Sequence, residues 1–246
     1  MNEATKQFIA LHRTSDTRTL ALQAARYPAV DMRQAITQIE GWQLAQNKLP
    51  QWAATEGLLY PPRISMEQCS SEATALYKAS LASGTRLADL TGGFGIDCSY
   101  MARRFEQATY IERSTLLCDI ARENFKLLGL HHIDIINGNS EEVLATLPPQ
   151  DWIFADPARR DGAGQKVVAL DDCEPRITAI EEAIMAKSKR AMIKCSPMLD
   201  ITAASRQLKN IAEIHIVAVN NECKELLFIL QSGGAVEITT HCINIT

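Results

Sequence analysis

Apolar and polar positions change rhythm once along this chain, near Gly84. Before it, apolar residues recur at helical spacing. Leu20, Ala24 and Ala25 precede a break at Tyr27-Pro28, and Ile36, Ile39 and Leu44 line one helical face before a second break at Leu49-Pro50. Pro61-Pro62 interrupts the chain again. Ser71 then reads as the N-cap of a helix through Ala73, Leu76, Tyr77 and Leu81 that ends at Gly84. After Gly84, short apolar runs alternate with amphipathic stretches. Arg86–Leu90, Ala108–Glu112, Ile133–Asn137, Asp151–Ala155, Ala191–Cys195, Ile214–Val219 and Leu226–Gln231 read as strands, and Ile96–Phe105 reads as a helix after the first of them. Alternation of strand and helix predicts a Rossmann-like α/β fold, a doubly wound parallel sheet of seven strands. Only Asn220–Glu225 separates the last two strands. Those six residues are too few for a helical crossover, so the pair should be a terminal antiparallel hairpin. Val236–Ile245 alternates apolar and polar residues and fits either one more strand or a frayed tail. The expected organisation is a small helical N-terminal subdomain over residues 1–83 and a Rossmann-like domain over 84–246.

Composition narrows this reading little. With 246 residues, 46% hydrophobic and 22% charged, the chain can bury a full core. It carries no run of about 18 apolar residues, and Met1–Leu11 is too polar for a secretory signal, so the expectation is a cytoplasmic protein without a membrane partner. Its seven cysteines are scattered without C-x-x-C spacing, and its five histidines show no ligand spacing. No metal is expected. The net charge of −4 divides into +1 for residues 1–83 and −5 for 84–246. Neither part is a basic platform, so an RNA substrate would need local clusters such as Arg103-Arg104, Arg159-Arg160 or Lys187–Arg190, or a further module.

The chemistry is carried first by Ala88-Asp89-Leu90-Thr91-Gly92-Gly93-Phe94-Gly95. An acid and a glycine-rich turn stand here between a strand and a helix, as in a nucleoside-cofactor pocket, and the glycines let the backbone approach a ligand. Glu112 closes the second strand some 23 positions after Asp89, where a carboxylate can accept from both hydroxyls of a ribose. A dinucleotide fingerprint would need a third glycine where Cys98 stands. Asp97, in the first helical turn, would also repel a pyrophosphate. A cofactor without phosphate suits the pocket better. S-adenosylmethionine is such a ligand, and Asp89 is placed to face its ammonium and sulfonium.

In these residues the sequence resembles the class I S-adenosylmethionine-dependent methyltransferases over most of residues 85–231. The resemblance makes Asp89, Thr91, Gly92, Gly93, Phe94 and Gly95 their first motif and Glu112 their ribose-binding acid. It makes Gly138-Asn139-Ser140 the segment that contacts adenine, with Asn139 where many members carry Asp. Asp151–Arg160 ends an apolar strand in Asp156-Pro157, which puts a carboxylate in the crevice of a parallel sheet. This resembles the Asp-Pro-Pro-aromatic motif of amino methyltransferases acting on nucleic-acid bases, with Ala158 in place of the second proline and Arg159 in place of the aromatic. Asp156 and Pro157 would orient the acceptor amine, and Arg159 and Arg160 would anchor the substrate by stacking or by holding a phosphate. Glu67–Thr74, Asp156–Arg160 and Asn220–Leu227 also resemble a group of bacterial methyltransferases with an N-terminal helical cap, whose longer members end in a THUMP-like RNA-binding module. The chain stops before such a module, as an isolated portion of a longer protein would.

The leading expectation is methyl transfer from S-adenosylmethionine to a nitrogen of an RNA base. A protein or small-molecule acceptor stays open, as does binding of the cofactor or of RNA without turnover. A nicotinamide-dependent oxidoreductase is disfavoured by Cys98 and Asp97.

Overall fold

The computed structural model describes residues 1–159, 170–233 and 237–246. Among these, six helices come first: α1 (Glu3–His12), α2 (Thr17–Leu22), α3 (Met32–Lys48), α4 (Pro50–Ala54), α5 (Arg63–Gln68) and α6 (Glu72–Leu81). Their starts are written locally. Asn2, Asp16, Asp31 and Ser71 each accept a backbone N–H of the first turn through the side chain. Pro50 occupies the first position of α4, where its missing N–H costs nothing.

Strands and helices then alternate: β1 (Gly84–Asp89), α7 (Ile96–Met101), β2 (Phe105–Glu112), α8 (Thr115–Leu127), β3 (Ile133–Asn137), α9 (Ser140–Thr146) and β4 (Gln150–Ala155). A two-residue pair, β5 (Ala158–Arg159) and β6 (Cys173–Glu174), precedes α10 (Ile177–Lys187), β7 (Ser188–Cys195), α11 (Ile201–Gln207), β8 (Ile211–Val219), β9 (Glu222–Gln231) and β10 (Thr239–Ile245). The main sheet runs β10-β8-β9-β7-β4-β1-β2-β3. It is parallel from β3 to β7, antiparallel where β9 lies between β7 and β8, and parallel again between β8 and β10. Among the described residues no helix is long and apolar enough to cross a membrane.

The doubly wound sheet and its terminal hairpin form as expected, with three differences in extent. The sheet has eight strands rather than seven, because β10 adds to the edge at β8, and its alternating exposure suits an edge strand. The hairpin turn is only Asn220-Asn221, both at positive φ of 49° and 65°, as a two-residue turn requires. Polar Glu222, Cys223 and Lys224 extend β9 past its apolar run. The first crossover helix stops at Met101, and Phe105, expected at its end, opens β2.

The helical segment shares a hydrophobic core with the sheet. Trp52, Tyr60, Met66 and Ala75 pack in one buried cluster with Leu87, Phe94, Tyr110 and Phe154. Polar locks fix the register of the contact. The buried Asn124 side chain on α8 accepts from Leu59 N and donates to Leu59 O, both at 2.8 Å, and Gln38 does the same for Tyr60. Each lock satisfies backbone groups that burial would otherwise leave unpaired.

Candidate functional site

The carboxyl ends of β1, β2 and β4 converge on a cavity of about 740 Å³, within the usual range of small-molecule sites. Its wall is the Asp89–Asp97 turn, Glu112, Gly138–Glu141, Asp156–Ala158 and Lys194, and the helical segment adds Ser65, Gln68, Cys69 and Ser70.

The glycine turn is strapped to β2 and β4. Gly92 N–H donates to Ile111 O at 2.8 Å and Gly93 N–H to the Glu112 carboxylate at 2.9 Å, while the Tyr110 hydroxyl donates to Gly93 O at 2.5 Å. Any Cβ at position 92 would sit 2.2 Å from the Tyr110 ring, and position 95 combines a φ of 86° with a Cβ site 2.9 Å from Phe125. Glycine is required at both. The other Glu112 oxygen accepts from Ser114 N at 2.7 Å, so this carboxylate is fixed at the cavity wall.

Asp89 is 1% exposed and accepts from Thr91 N at 2.9 Å. Burial, opposed by that N–H and reinforced by Asp97, Asp156 and Glu112, pushes its pKa well above the ordinary carboxylate value. Thr91 Oγ1 in turn accepts from Asp156 N at 2.6 Å, which ties the ends of β1 and β4 together.

Two site residues use their side chains otherwise than the sequence suggests. Phe94, in the cavity wall, is 4% exposed and packs its ring edge-on to Trp52 at 5.0 Å, which ties the glycine turn to the helical segment. Asn139 is the N-cap of α9. Its carbonyl oxygen accepts from Glu141 N at 2.8 Å and Glu142 N at 3.4 Å, and Ser140 beside it opens the helix at the cavity wall. Asp156 and Pro157 also line the cavity. Arg159 pairs by its backbone with Cys173. Arg160 lies outside the described residues.

The expectation that Asp97 presents an unopposed charge is corrected. Its carboxylate lies 3.2 Å from Lys78 Nζ and 3.9 Å from Lys194 Nζ and accepts from Ser70 Oγ at 2.7 Å. Burial resists its ionisation, but the two lysines outweigh it and lower its pKa. Lys78 is fully buried and also meets Glu225 at 2.5 Å, and Lys194 meets Asp156 at 2.5 Å. Glu225, Lys78, Asp97, Lys194 and Asp156 thus form one chain of alternating charge that runs from the interior to the cavity wall. With Asp97 neutralised, the case against a pyrophosphate rests on buried Cys98, where a third glycine would stand, and on the carboxylates Asp89 and Glu112. Sequence reading placed Lys194 only within the strand Ala191–Cys195 and missed Lys78 and Glu225, which lie 147 positions apart.

No family model and no curated protein matches the chain. Among solved structures, one from Porphyromonas gingivalis W83 described as a "putative methyltransferase" superposes with a TM-score of 0.85 at 32% identity. The match covers 99% of this chain and 62% of that longer one. A predicted O-methyltransferase from Agrobacterium tumefaciens gives a TM-score of 0.49 at 18% identity over 70% of this chain and 86% of its own. An rRNA methylase from Streptococcus thermophilus gives 0.48 at 13% over 65% and 93%. The fold is the Rossmann-like fold of the methyltransferases.

Proposed function

We propose that the chain is an S-adenosylmethionine-dependent methyltransferase acting on a nitrogen of an RNA base. The observation that carries this reading is the pairing of Glu112, held at the cavity wall by Gly93 N and Ser114 N, with the buried acid Asp89 across the glycine turn. These residues fit the cofactor. Glu112 suits the ribose hydroxyls, Asp89 suits a cationic amino-acid end, and Gly93, whose Cβ site meets only Thr91 O at 3.6 Å, admits a ligand between them. When bound, the cofactor supplies an electrophilic methyl on sulfur. The chain's own part is positioning. Asp156 and Pro157 hold the acceptor amine so that its lone pair faces the cavity, and the surrounding wall limits water. Arg159 and Arg160 grip the phosphates or stack on the base. Residues 84–246 carry a net −5, so an RNA acceptor would be gripped through local clusters such as Arg103-Arg104 and Arg159-Arg160, or through a further module.

Calorimetry with S-adenosylhomocysteine tests the cofactor half. Binding in the micromolar range that Glu112→Ala removes supports it, and tight binding untouched by Glu112→Ala and Gly93→Val overturns it. Transfer of labelled methyl into total RNA tests the acceptor half. Label that enters RNA and vanishes in Asp156→Ala supports it, while label found only in protein or small metabolites redirects the acceptor.

A further inference from the structure

At the far edge of the sheet, β8 carries Glu213 and His215 and β10 carries His241. The two-residue period of a strand puts Glu213 and His215 on one face, and parallel pairing sets His241 directly beside His215. The two imidazoles stack with centroids 4.6 Å apart at 24°. His215 Nε2 lies 3.2 Å and His241 Nε2 3.6 Å from the same Glu213 oxygen, Oε2. We propose that Glu213, His215 and His241 form a binding site for a divalent cation of the zinc type, with its fourth position open to water.

Two observations beyond the cluster support this. Bonds of about 2.0–2.2 Å in a tetrahedral shell put neighbouring ligand atoms roughly 3.3–3.6 Å apart. The His241–Glu213 contact at 3.6 Å has that spacing and the His215–Glu213 contact at 3.2 Å is just short of it. All three ligand atoms lie within 4.8 Å of one another, so the remaining closure is a side-chain rotation of His241, which is 40% exposed. Each of the other two ligands is also held by a partner on the atom turned away from the ion. The Tyr77 hydroxyl on α6 lies 2.7 Å from His215 Nδ1, and an Nδ1–H donating to it leaves the Nε2 lone pair facing the centre. Arg190 on β7, stacked over Trp152 at 4.8 Å, pairs with Glu213 Oε1 and leaves Oε2 to the metal. Such outer partners fix the tautomer and direction of metal ligands.

Two imidazoles and one carboxylate select zinc over magnesium or calcium, which prefer all-oxygen shells. The ion would join β8 to the edge strand β10 through side chains backed by α6 and β7. The cluster is separate from the cavity, whose described lining includes none of the three residues. No sequence spacing announces it, because His241 is brought to His215 only by the β8–β10 pairing.

The test is a titration of the tag-free, metal-stripped chain with zinc chloride, followed by calorimetry against a competing chelator and by thermal melting. The expected result is one equivalent bound tighter than micromolar, a rise in Tm that saturates at that equivalent, and visible absorption of tetrahedral type when cobalt(II) replaces zinc. His241→Ala, on a half-exposed edge position, should keep the wild-type circular dichroism and lose at least tenfold in zinc affinity. Tyr77→Phe should lose about tenfold with its fold intact. If Glu213→Gln does not fold, His241→Ala decides alone. No binding at micromolar zinc, magnesium binding as tight as zinc, or one-equivalent binding unchanged in His241→Ala would each overturn the proposal.

Discussion

The Lys194 ammonium stands 2.5 Å from the Asp156 carboxylate in the cavity wall, with its side chain only 11% exposed. Burial opposes its charge, yet Asp156, Asp97 and Glu225 outweigh burial and raise its pKa. Lys194 is therefore a fixed cation at neutral pH and has no base function there. It occupies one Asp156 oxygen, and under the proposed function the other is left for an acceptor, so the direction of the acid is set by a residue on β7.

Replacing Lys194 with Met removes that constraint while keeping the length of the chain. Methyl-transfer kcat/KM should fall about 100-fold, the scale of a slightly misplaced reacting group. Affinity for S-adenosylhomocysteine should stay unchanged, because the cofactor end of the cavity keeps Asp89 and Glu112. Parallel kinetics and calorimetry separate the two quantities. A loss shared equally between them would move Lys194 into cofactor binding and end its positioning role.

Asp89 stores a cost that binding can recover. Its folded-state pKa is raised above the ordinary 3.8, so ionising it in the free protein is unfavourable. The sign follows directly: stability relative to an unshifted acid is full below 3.8 and is lost as pH rises through the folded-state value. Asp89→Asn keeps an acceptor for Thr91 N and abolishes that loss. Its Tm should match wild type in acid and exceed it by about 2–4 °C at neutral pH, while cofactor affinity falls. Thermal melts across pH give the first quantity. Calorimetry in buffers of different ionisation enthalpy should show proton release when wild type binds the cationic cofactor, and no such release in the variant.

Lys78 tests the buried charge chain. Fully enclosed between Glu225, Asp97 and Ser70, it neutralises two acids that would otherwise be stranded. Removing one member of such a set typically costs about 3–5 kcal/mol. Lys78→Met should show that loss in urea unfolding, and a cost under about 1 kcal/mol would mean that the acids find protons or water instead. Restoring part of the loss by adding Glu225→Gln to Lys78→Met would confirm that the uncompensated charge is the cause.

What the sequence revealed and what it hid divide along local and distant contacts. Asp89, Gly92 and Gly95 were legible as a strand end and its glycine-rich turn, and Glu112 because it closes the next strand at a familiar distance, whereas the Tyr110 and Phe125 rings that exclude a Cβ at positions 92 and 95 were not. The role of Phe94 was hidden, since its ring answers to Trp52, more than 40 positions earlier. The capping role of Asn139 was missed for a local reason: an Asn ahead of Ser140-Glu141-Glu142 is also a helix N-cap, and two backbone N–H groups donate to its carbonyl. The partners of Lys78 and Lys194 were hidden because no periodicity relates α6 to β9 or β7 to β4. β10 was ambiguous because an edge strand buries too little to enforce its alternation.

Glu112 carries the cofactor assignment, and its double use sharpens the last test. Both oxygens already accept backbone N–H groups, at 2.9 Å from Gly93 and 2.7 Å from Ser114, so a ribose must share lone pairs with the turn. Glu112→Ala loses both functions and loosens the turn, which confounds a simple affinity loss. Glu112→Gln keeps one acceptor oxygen and the shape. Hydrogen bonds to a charged group are worth about 1.5–3 kcal/mol, so S-adenosylhomocysteine affinity should drop about 10- to 100-fold in Glu112→Gln. The specific readout is the preference of each protein for the ligand over its 2′-deoxy analogue. Wild type should favour the ribose form by about tenfold or more, and that preference should shrink in Glu112→Gln and disappear in Glu112→Ala. If the preference survived in Glu112→Ala, the ribose would be held elsewhere, and Glu112 would be left as a brace for the glycine turn.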